Sequence, residues 1–344
     1  MAGGIRIGVL DASKKAQWDD FVLNCEQATF FHRAGWKRVI EEAYGHDTHF
    51  LYAEKNSEIV GVLPLGHIKS ILFGNALISC PFCVYGGVAA KDNLARDLLY
   101  DAAIDLANKL NVDHLELRNR DQRYKNWATK DLYVTFRKQI DSDPDVNMKA
   151  IPRKQRAMVR KGINAGLVSR VQEEVDEFFN IYATSVRNHG TPVFSKRYFA
   201  ILKKEFGKDC EISIVLHDKT ALAAVMTFYF RNEVLPYYGG GTPDARKVKA
   251  FDFMYWDVMR RAGESGYSMF DYGRSKVGTG SYSFKKNWGF TPEQLNYEYY
   301  LVNSKQVPDI NPLNPKYKVF ISVWKNLPVP LTKVIGPLIA KNLG

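Results

Sequence analysis

Residues 269–290 hold the densest chemistry in the chain. MFDY (269–272) reads as a short apolar strand. It runs into Gly273–Gly280, a loop with Arg274, Lys276 and Gly278, and then into Ser281, Phe284, Lys285 and Trp288. Glycines let a backbone approach a ligand closely. Arg274, Lys276 and Lys285 put positive charge where an anion or a developing oxyanion would sit. The segment points to a group transfer through a negatively charged intermediate. A tight strand-to-helix turn with solvated lysines is the plainer reading of the same residues.

A second constellation is basic. In IPRKQRAMVRKGI (151–163), Arg153, Arg156 and Arg160 fall at i, i+3 and i+7, with Lys154 and Lys161 flanking them. Pro152 suits a first helical turn. Lys149 to Arg170 holds seven basic residues and no acid. Such a face fits a polyanion, either a tRNA acceptor stem or a nucleotide- or phospholipid-linked sugar. A solvated helix surface is the alternative. His189, beside Arg187 and before a glycine–proline turn, offers an imidazole that titrates near neutrality; a loop histidine needs no such role. In the tail, 316–344, Val319, Phe320, Val323, Trp324 and Leu327 share a helical stripe among isolated lysines. That pattern suits a membrane interface, or packing on the rest of the chain or a second subunit.

These residues need elements to position them, and an internal repeat supplies the plan. Tyr85-Gly86-Gly87 is matched by Tyr238-Gly239-Gly240. Helical patterns follow at 94–110 and 248–262, then the strands HLELRN (114–119) and MFDYGR (269–274). Upstream, 52–65 and 214–228 both read as strand, turn, strand, and 18–31 and 175–198 both read as aromatic helices. Five features recur in order, which predicts a tandem α/β unit. Each unit is a mixed sheet flanked by helices. The expected boundaries are 1–148, 149–302 and a basic amphipathic tail, 303–344, opened by the proline-spaced run 308–315. Only the second repeat carries the glycine-rich cationic loop, so it is the expected active unit.

The order FDYGRS…GTGSYSFKKNWGF resembles the C-terminal signature of the FemAB/FemX-like transferases, most closely the branch associated with exosortase (PEP-CTERM) and exopolysaccharide loci. The resemblance covers most of 15–300. It implies two GNAT-like domains and transfer of an aminoacyl or other acyl group to an amine on a cell-envelope precursor, of peptidoglycan or exopolysaccharide. By this resemblance Lys285 steadies the oxyanion, Tyr238 contacts the acceptor beside Tyr237, Gly239 and Gly240, and Arg187 holds acceptor phosphate with His189 nearby. Arg274, Lys276, Gly278, Gly280, Ser281 and Phe284 would orient the donor. In FHRAGWKR (31–38) the family places a phosphate-binding lysine two residues after the tryptophan. Here Trp36 is followed by Lys37 and then Arg38, so the charge survives but the residue type changes.

The composition, 46% hydrophobic and 25% charged over 344 residues, fits a globular protein of about two domains. The net charge of +11 is confined to 149–170 and the tail, which argues for local anion-facing sites. Cys80-Pro-Phe-Cys83 has no second pair and no spaced histidines, so no metal is expected. Ser70–Ala90 is uncharged, but Asn75, Pro81 and two glycines fit buried strands better than a membrane span. The start lacks a signal-peptide pattern, so a cytoplasmic protein is expected, with peripheral attachment to the inner face of the cell membrane through the tail. No Walker, HExxH, nucleophile-elbow or Rossmann motif is found. No tightly bound cofactor is expected; the donor is aminoacyl-tRNA or acyl-CoA. After Tyr238 the chain lacks the usual CoA-binding loop, and Arg274-x3-Gly278-x-Gly280 is the nearest approach. A CoA-dependent acyltransferase of an amino sugar and a non-catalytic membrane-docked scaffold stand as alternatives.

Overall fold

The computed structural model describes residues 4–70, 74–307 and 315–343; most of the proline-spaced run 308–315 lies outside them. The chain divides into two units. The first takes 4–132, 294–307 and 341–343, the second 133–293 and 315–340.

Unit 1 opens with β1 (Arg6–Val9), α1 (Lys15–Asn24) and α2 (Gly35–Tyr44). The strands β2 (Asp47–Lys55), β3 (Glu58–Ser70), β4 (Gly74–Ser79) and β5 (Ala89–Ala90) follow, then α3 (Asn93–Lys109), β6 (His114–Asn119) and β7 (Ala128–Lys130). Asn56 and Ser57 both take positive φ, the two-residue turn whose twist suits the β2–β3 hairpin. Asp92 accepts from the Ala95 amide at 2.8 Å and starts α3. Ala95, Leu99, Ala103 and Ala107 then bury one face of α3 in a core with Leu63, Leu77, Leu115 and Leu117.

Unit 2 runs β8 (Tyr133–Gln139), α4 (Pro144–Ala150), α5 (Arg153–Asn164), β9 (Val168–Gln172), α6 (Asp176–His189) and α7 (Lys196–Phe206). It continues with β10 (Cys210–His217), β11 (Thr220–Phe230), β12 (Glu233–Gly241), α8 (Ala250–Glu264), β13 (Met269–Asp271), β14 (Ser275–Lys276), α9 (Gly280–Asn287) and β15 (Pro292–Gln294). The chain then returns to unit 1 with β16 (Asn296–Leu301) and ends in α10 (Pro315–Asn326) and α11 (Val329–Ala340). The unit 2 core gathers Val225, Val234, Met254, Val258, Phe270 and Trp288.

The sheets have matching orders, β1-β2-β3-β4-β6-β16-β7 and β9-β10-β11-β12-β13-β8-β14, with β5 on β3 and β15 on β8. In each, one central pair is parallel, β4–β6 and β12–β13. The repeat in the sequence therefore corresponds to one mixed α/β sheet built twice. The strand beside each parallel pair differs from the sequence reading. The repeat groups 133–148 with the first half and 296–301 with the second; pairing assigns β8 to unit 2 and β16 to unit 1. Buried charges select these partners. Arg137 on β8 pairs with Glu233 and Asp271, and Glu298 on β16 accepts from Asn119 and from the Arg123 and Tyr124 amides.

Two further expectations differ in detail. Tyr238–Gly240 lies inside β12, but Tyr85–Gly87 lies in a loop, because Cys80 and Phe82 take left-handed backbone that ends β4. The aromatic helix expected at 18–31 ends at Asn24, and residues 30–32 form a separate short turn of helix.

The glycines of β12 let helices approach the sheet. A Cβ on Gly240 would meet the Tyr182 Cα and the Ser185 Cβ of α6, each at 2.9 Å. Gly240→Ala should therefore cost about 1–3 kcal/mol, the usual range for overpacking. Chemical denaturation would show this as a lower midpoint with unchanged slope; an unchanged midpoint would mean that α6 yields freely.

Candidate functional site

The site forms where β13 ends in unit 2. The Asp271 carboxylate is buried, accepts from the Gly273 amide at 2.7 Å, and lies 3.4 Å from Arg137 Nε. Gly273 has φ +66, which favours glycine. The chain then passes through Arg274 into β14, whose Ser275 and Lys276 pair with Val134 and Tyr133 of β8. Gly278 makes a second left-handed turn, φ +80. Thr279 caps α9, its Oγ1 accepting from the Tyr282 amide at 3.4 Å. One and a half turns into α9 stands Lys285.

Lys285 points back at the loop. Its Nζ donates to the carbonyls of Gly273 at 2.9 Å and Arg274 at 3.0 Å. The Phe136 and Tyr272 rings lie 5.7 and 6.0 Å from it. Burial pushes its pKa down to about 7; Asp271 opposes the shift and Arg274 adds to it. An ammonium has three N–H groups, and two are engaged here. The third tetrahedral direction carries a proton when the group is charged and a lone pair when it is neutral.

Unit 2 holds further buried polar groups that the sequence did not single out. Asp252, on the first turn of α8, is buried and held by Gln155 of α5. Burial pushes its carboxyl up to about 6, against the pull of Lys249, Gln155 and the Trp288 indole. The hydroxyls of Tyr272 and Ser275 are buried without a hydrogen-bond partner among the described residues. Asp252 was legible in one respect: it stands in the apolar run AFDFMYW.

The structure brings several sequence candidates into this one loop–helix segment: Arg274, Lys276, Gly278, Gly280, Ser281, Phe284 and Lys285. The Arg274 guanidinium lies 4.4 Å over the Tyr133 ring. Lys276 is buried in β14. Ser281 is exposed, its hydroxyl 3.1 Å from that of Thr279. Phe284 packs inward on Tyr255, Tyr272 and Trp288. A Cβ on Gly278 or Gly280 would meet nothing within 4 Å, so the loop surface there is open.

The other candidates have local structural duties. Tyr238 is buried among Tyr182, Phe194, Tyr198 and Phe199, and its hydroxyl lies 2.6 Å from that of Tyr198. Tyr237 packs on Phe228. Gly239 faces the other way: an added Cβ would lie 2.8 Å from the Tyr255 hydroxyl, beside the Lys285 site. Arg187 donates to the Lys325 carbonyl at 2.8 Å, closing the C-terminus of α10. His189, the last residue of α6, has its pKa lowered by desolvation first and then by Arg246 and Lys325. In unit 1, Trp36 is a core residue whose indole donates to the Phe30 carbonyl at 3.2 Å. Lys37 bonds Thr48 and pairs with Glu41, and Arg38 pairs with Glu42. The basic helix is α5. Arg153, Arg160 and Lys161 are exposed and Arg156 half-buried, and none pairs with an acid among the described residues. Those residues also contain no cluster of three or more His, Cys, Asp or Glu placed to hold a metal.

Residues 148–286 match the sequence model of a family described as an acetyltransferase (GNAT) domain. The crystal structure of FemX covers 92% of this chain and 100% of its own at 14% identity, with a TM-score of 0.66. The C-terminal domain (DUF2156) of a putative lysylphosphatidylglycerol synthetase from Agrobacterium fabrum covers 84% of this chain and 92% of its own, at 13% identity and a TM-score of 0.57. A tandem GNAT protein from the clavulanic acid biosynthesis pathway covers 88% and 100%, at 12% identity and a TM-score of 0.55. No curated protein sequence matches the chain significantly. The structural likenesses establish the fold: two mixed sheets in the manner of tandem GNAT proteins. The family match stops at 286, so it takes in both the cationic loop and Lys285.

The ionisation of Lys285 is measurable without a substrate. In competitive acylation read by mass spectrometry, only neutral amines react, so Lys285 should reach half its maximal reactivity near pH 7. Ordinary surface lysines do so near 10.4. A Lys285 midpoint near 10.4 would remove the buried, weakened ammonium from the site.

Proposed function

We propose that the chain is an N-acyltransferase that moves an aminoacyl or other acyl group from an activated donor to an amine on a cell-envelope or exopolysaccharide precursor. The observation that carries this reading is Lys285, held by two carbonyls with a third donor free. The acceptor nitrogen attacks the acyl carbon, and the C=O electron pair moves onto oxygen. Lys285 donates its free N–H to that oxyanion. Collapse restores C=O and expels the donor's alcohol or thiol, which takes up the proton lost by the amine. Arg274 and the Gly278–Gly280 surface hold the donor, and Tyr272 and Ser275 offer hydroxyls to the bound groups.

FemX and lysylphosphatidylglycerol synthetase as structural neighbours support an aminoacyl donor and an envelope acceptor, and the unpaired cations of α5 suit the tRNA that such a donor carries. The GNAT match favours acyl-CoA as the second donor reading. Membership of the exosortase-associated branch belongs to this proposal, as do roles for Arg38 and Arg187 at acceptor phosphate.

Lys285→Ala should lower the transfer rate by about 10²–10³, the loss of one oxyanion donor, on the order of 3 kcal/mol. Its melting temperature should stay unchanged or rise, because a buried ammonium weakens the fold wherever its pKa is depressed. The ammonium is the working form, so kcat/KM should fall as pH rises through about 7. A rise over that interval would make Lys285 a base instead.

Native mass spectrometry with charged tRNAs and acyl-CoAs identifies the donor. Retained aminoacyl-tRNA should be lost, and its salt dependence flattened, in Arg156→Glu with Arg160→Glu. Retained acyl-CoA that survives both changes would assign the donor to the CoA class. If neither binds, and Lys285→Ala leaves cellular function intact, a non-catalytic scaffold replaces the enzyme.

A further inference from the structure

In unit 2 the site lies past β13, the second strand of the parallel pair. The matching end of unit 1 lies past β6. Ligands of open α/β sheets settle outside the carboxyl ends of parallel strands. In unit 1 those ends hold a cavity of about 240 Å³. Its walls come from three segments: 26–32 after α1, 85–88 between β4 and β5, and 119–123 after β6.

The segments are fastened to one another. Thr29 donates its amide to His32 Nδ1 at 3.1 Å, so the imidazole hydrogen sits on Nε2, which donates to the Gly87 carbonyl at 3.1 Å. Gly86 donates its amide to the Arg118 carbonyl at 2.9 Å. Gly87 has φ +94, and a Cβ there would overlap the Asn119 amide oxygen. Glu298 accepts from Asn119 and from the Arg123 and Tyr124 amides, which fixes the turn after β6. Thr29, His32 and Asn119 are buried, so the floor is polar and already hydrogen-bonded from within the protein.

The rim is charged. The Arg120 guanidinium stands 5.6 Å over the Tyr85 ring, and the exposed Arg123 makes no ion pair among the described residues. Glu26 and Asp121, both exposed, line the same cavity. Two cations and two carboxylates balance. Asp121 shares the turn of the arginines, whereas Glu26 comes from the segment after α1, so opposite charges reach the cavity from different segments. An anion alone would meet the carboxylates and a cation alone the guanidiniums. A molecule carrying both charges can be matched at each end. The guanidinium fork fits a carboxylate in bidentate fashion. The volume is below the roughly 300–1,000 Å³ of sites for drug-sized ligands, which limits the guest to a small molecule.

We propose that this cavity binds a free α-amino acid, its carboxylate on Arg120 and Arg123 and its ammonium toward Glu26. The assignment goes beyond the transferase reading and uses no step of it.

The full chain is titrated calorimetrically at neutral pH with each proteinogenic L-amino acid and with inorganic phosphate. At least one amino acid should bind. Its methyl ester, which lacks the anionic charge, and its N-acetyl derivative, which lacks the ammonium, should each bind about tenfold more weakly or worse. Arg123→Ala should keep the melting temperature of the free protein and lower affinity for the amino acid by a similar factor. Glu26→Gln should weaken the amino acid and leave the residual binding of the N-acetyl derivative unchanged. Silence across the panel would overturn the proposal. So would equal binding of the N-acetyl derivative or of phosphate, which would make this an anion site only. Undiminished binding by Arg123→Ala would overturn it too; if Lys285→Ala then abolished binding, the guest would belong to unit 2. Binding is read without a transfer assay, so failure of the enzymatic reading leaves this result intact.

Discussion

A carboxylate without solvent contact has to be neutralised and hydrogen-bonded where it stands. Asp271 obtains both, from opposite directions. Arg137 reaches it across the sheet from β8, and the Gly273 amide turns back to it from the loop. The first contact fixes which strand lies beside β13. The second fixes the turn whose carbonyls, at Gly273 and Arg274, receive Lys285. Sheet order and the position of the Lys285 ammonium thus rest on one buried acid. The dependence runs through backbone, so the lysine is aimed by a turn with little freedom to relax.

The same arrangement sets the electrostatics. Burial alone would drive Lys285 toward neutrality, and Asp271 restrains the shift. The balance leaves the amine near the midpoint of its titration at physiological pH, where a group can give or receive a proton at small cost. Asp252 is displaced toward the same region from the other side, because burial raises its carboxyl against the opposing pull of Lys249 and of the Gln155 hydrogen bond. An acid raised and an amine lowered in one unit are what make this end of unit 2 the candidate site.

What was legible in the sequence was local. The strand and glycine loop at 269–280 are marked by Gly273, Gly278 and Gly280, and the helix at 153–164 by its charge spacing. What was not legible depended on distant pairing. Nothing within 133–139 or 296–301 reveals which sheet each strand joins, because the charges that decide it, Asp271 and Glu233 for one and the Asn119 region for the other, lie far away in sequence. The surroundings of Tyr238 were not legible for a related reason. Strand alternation turns its ring toward α6 and α7, where Tyr198 engages the hydroxyl, and leaves Gly239 facing Tyr255 and the site. The glycines after it make room for neighbouring side chains and helices.

The two units show how one scaffold position can hold either a plug or a site. In unit 1 the second strand of the parallel pair, β6, carries a buried cation, Arg118. It spends itself at once: Nε on Glu116 at 2.7 Å, Nη1 on the Cys83 carbonyl at 2.7 Å, and its face over the Tyr297 ring at 5.6 Å. A guanidinium cannot shed its proton, so such a pair is structural at every working pH. In unit 2 the corresponding strand carries only the acid. The cation comes from the following helix, and it is a lysine with one direction still open. The difference between a rigid ion pair and a responsive amine is the choice of lysine on α9, with glycines at 273 and 278 that let the chain turn far enough to present it.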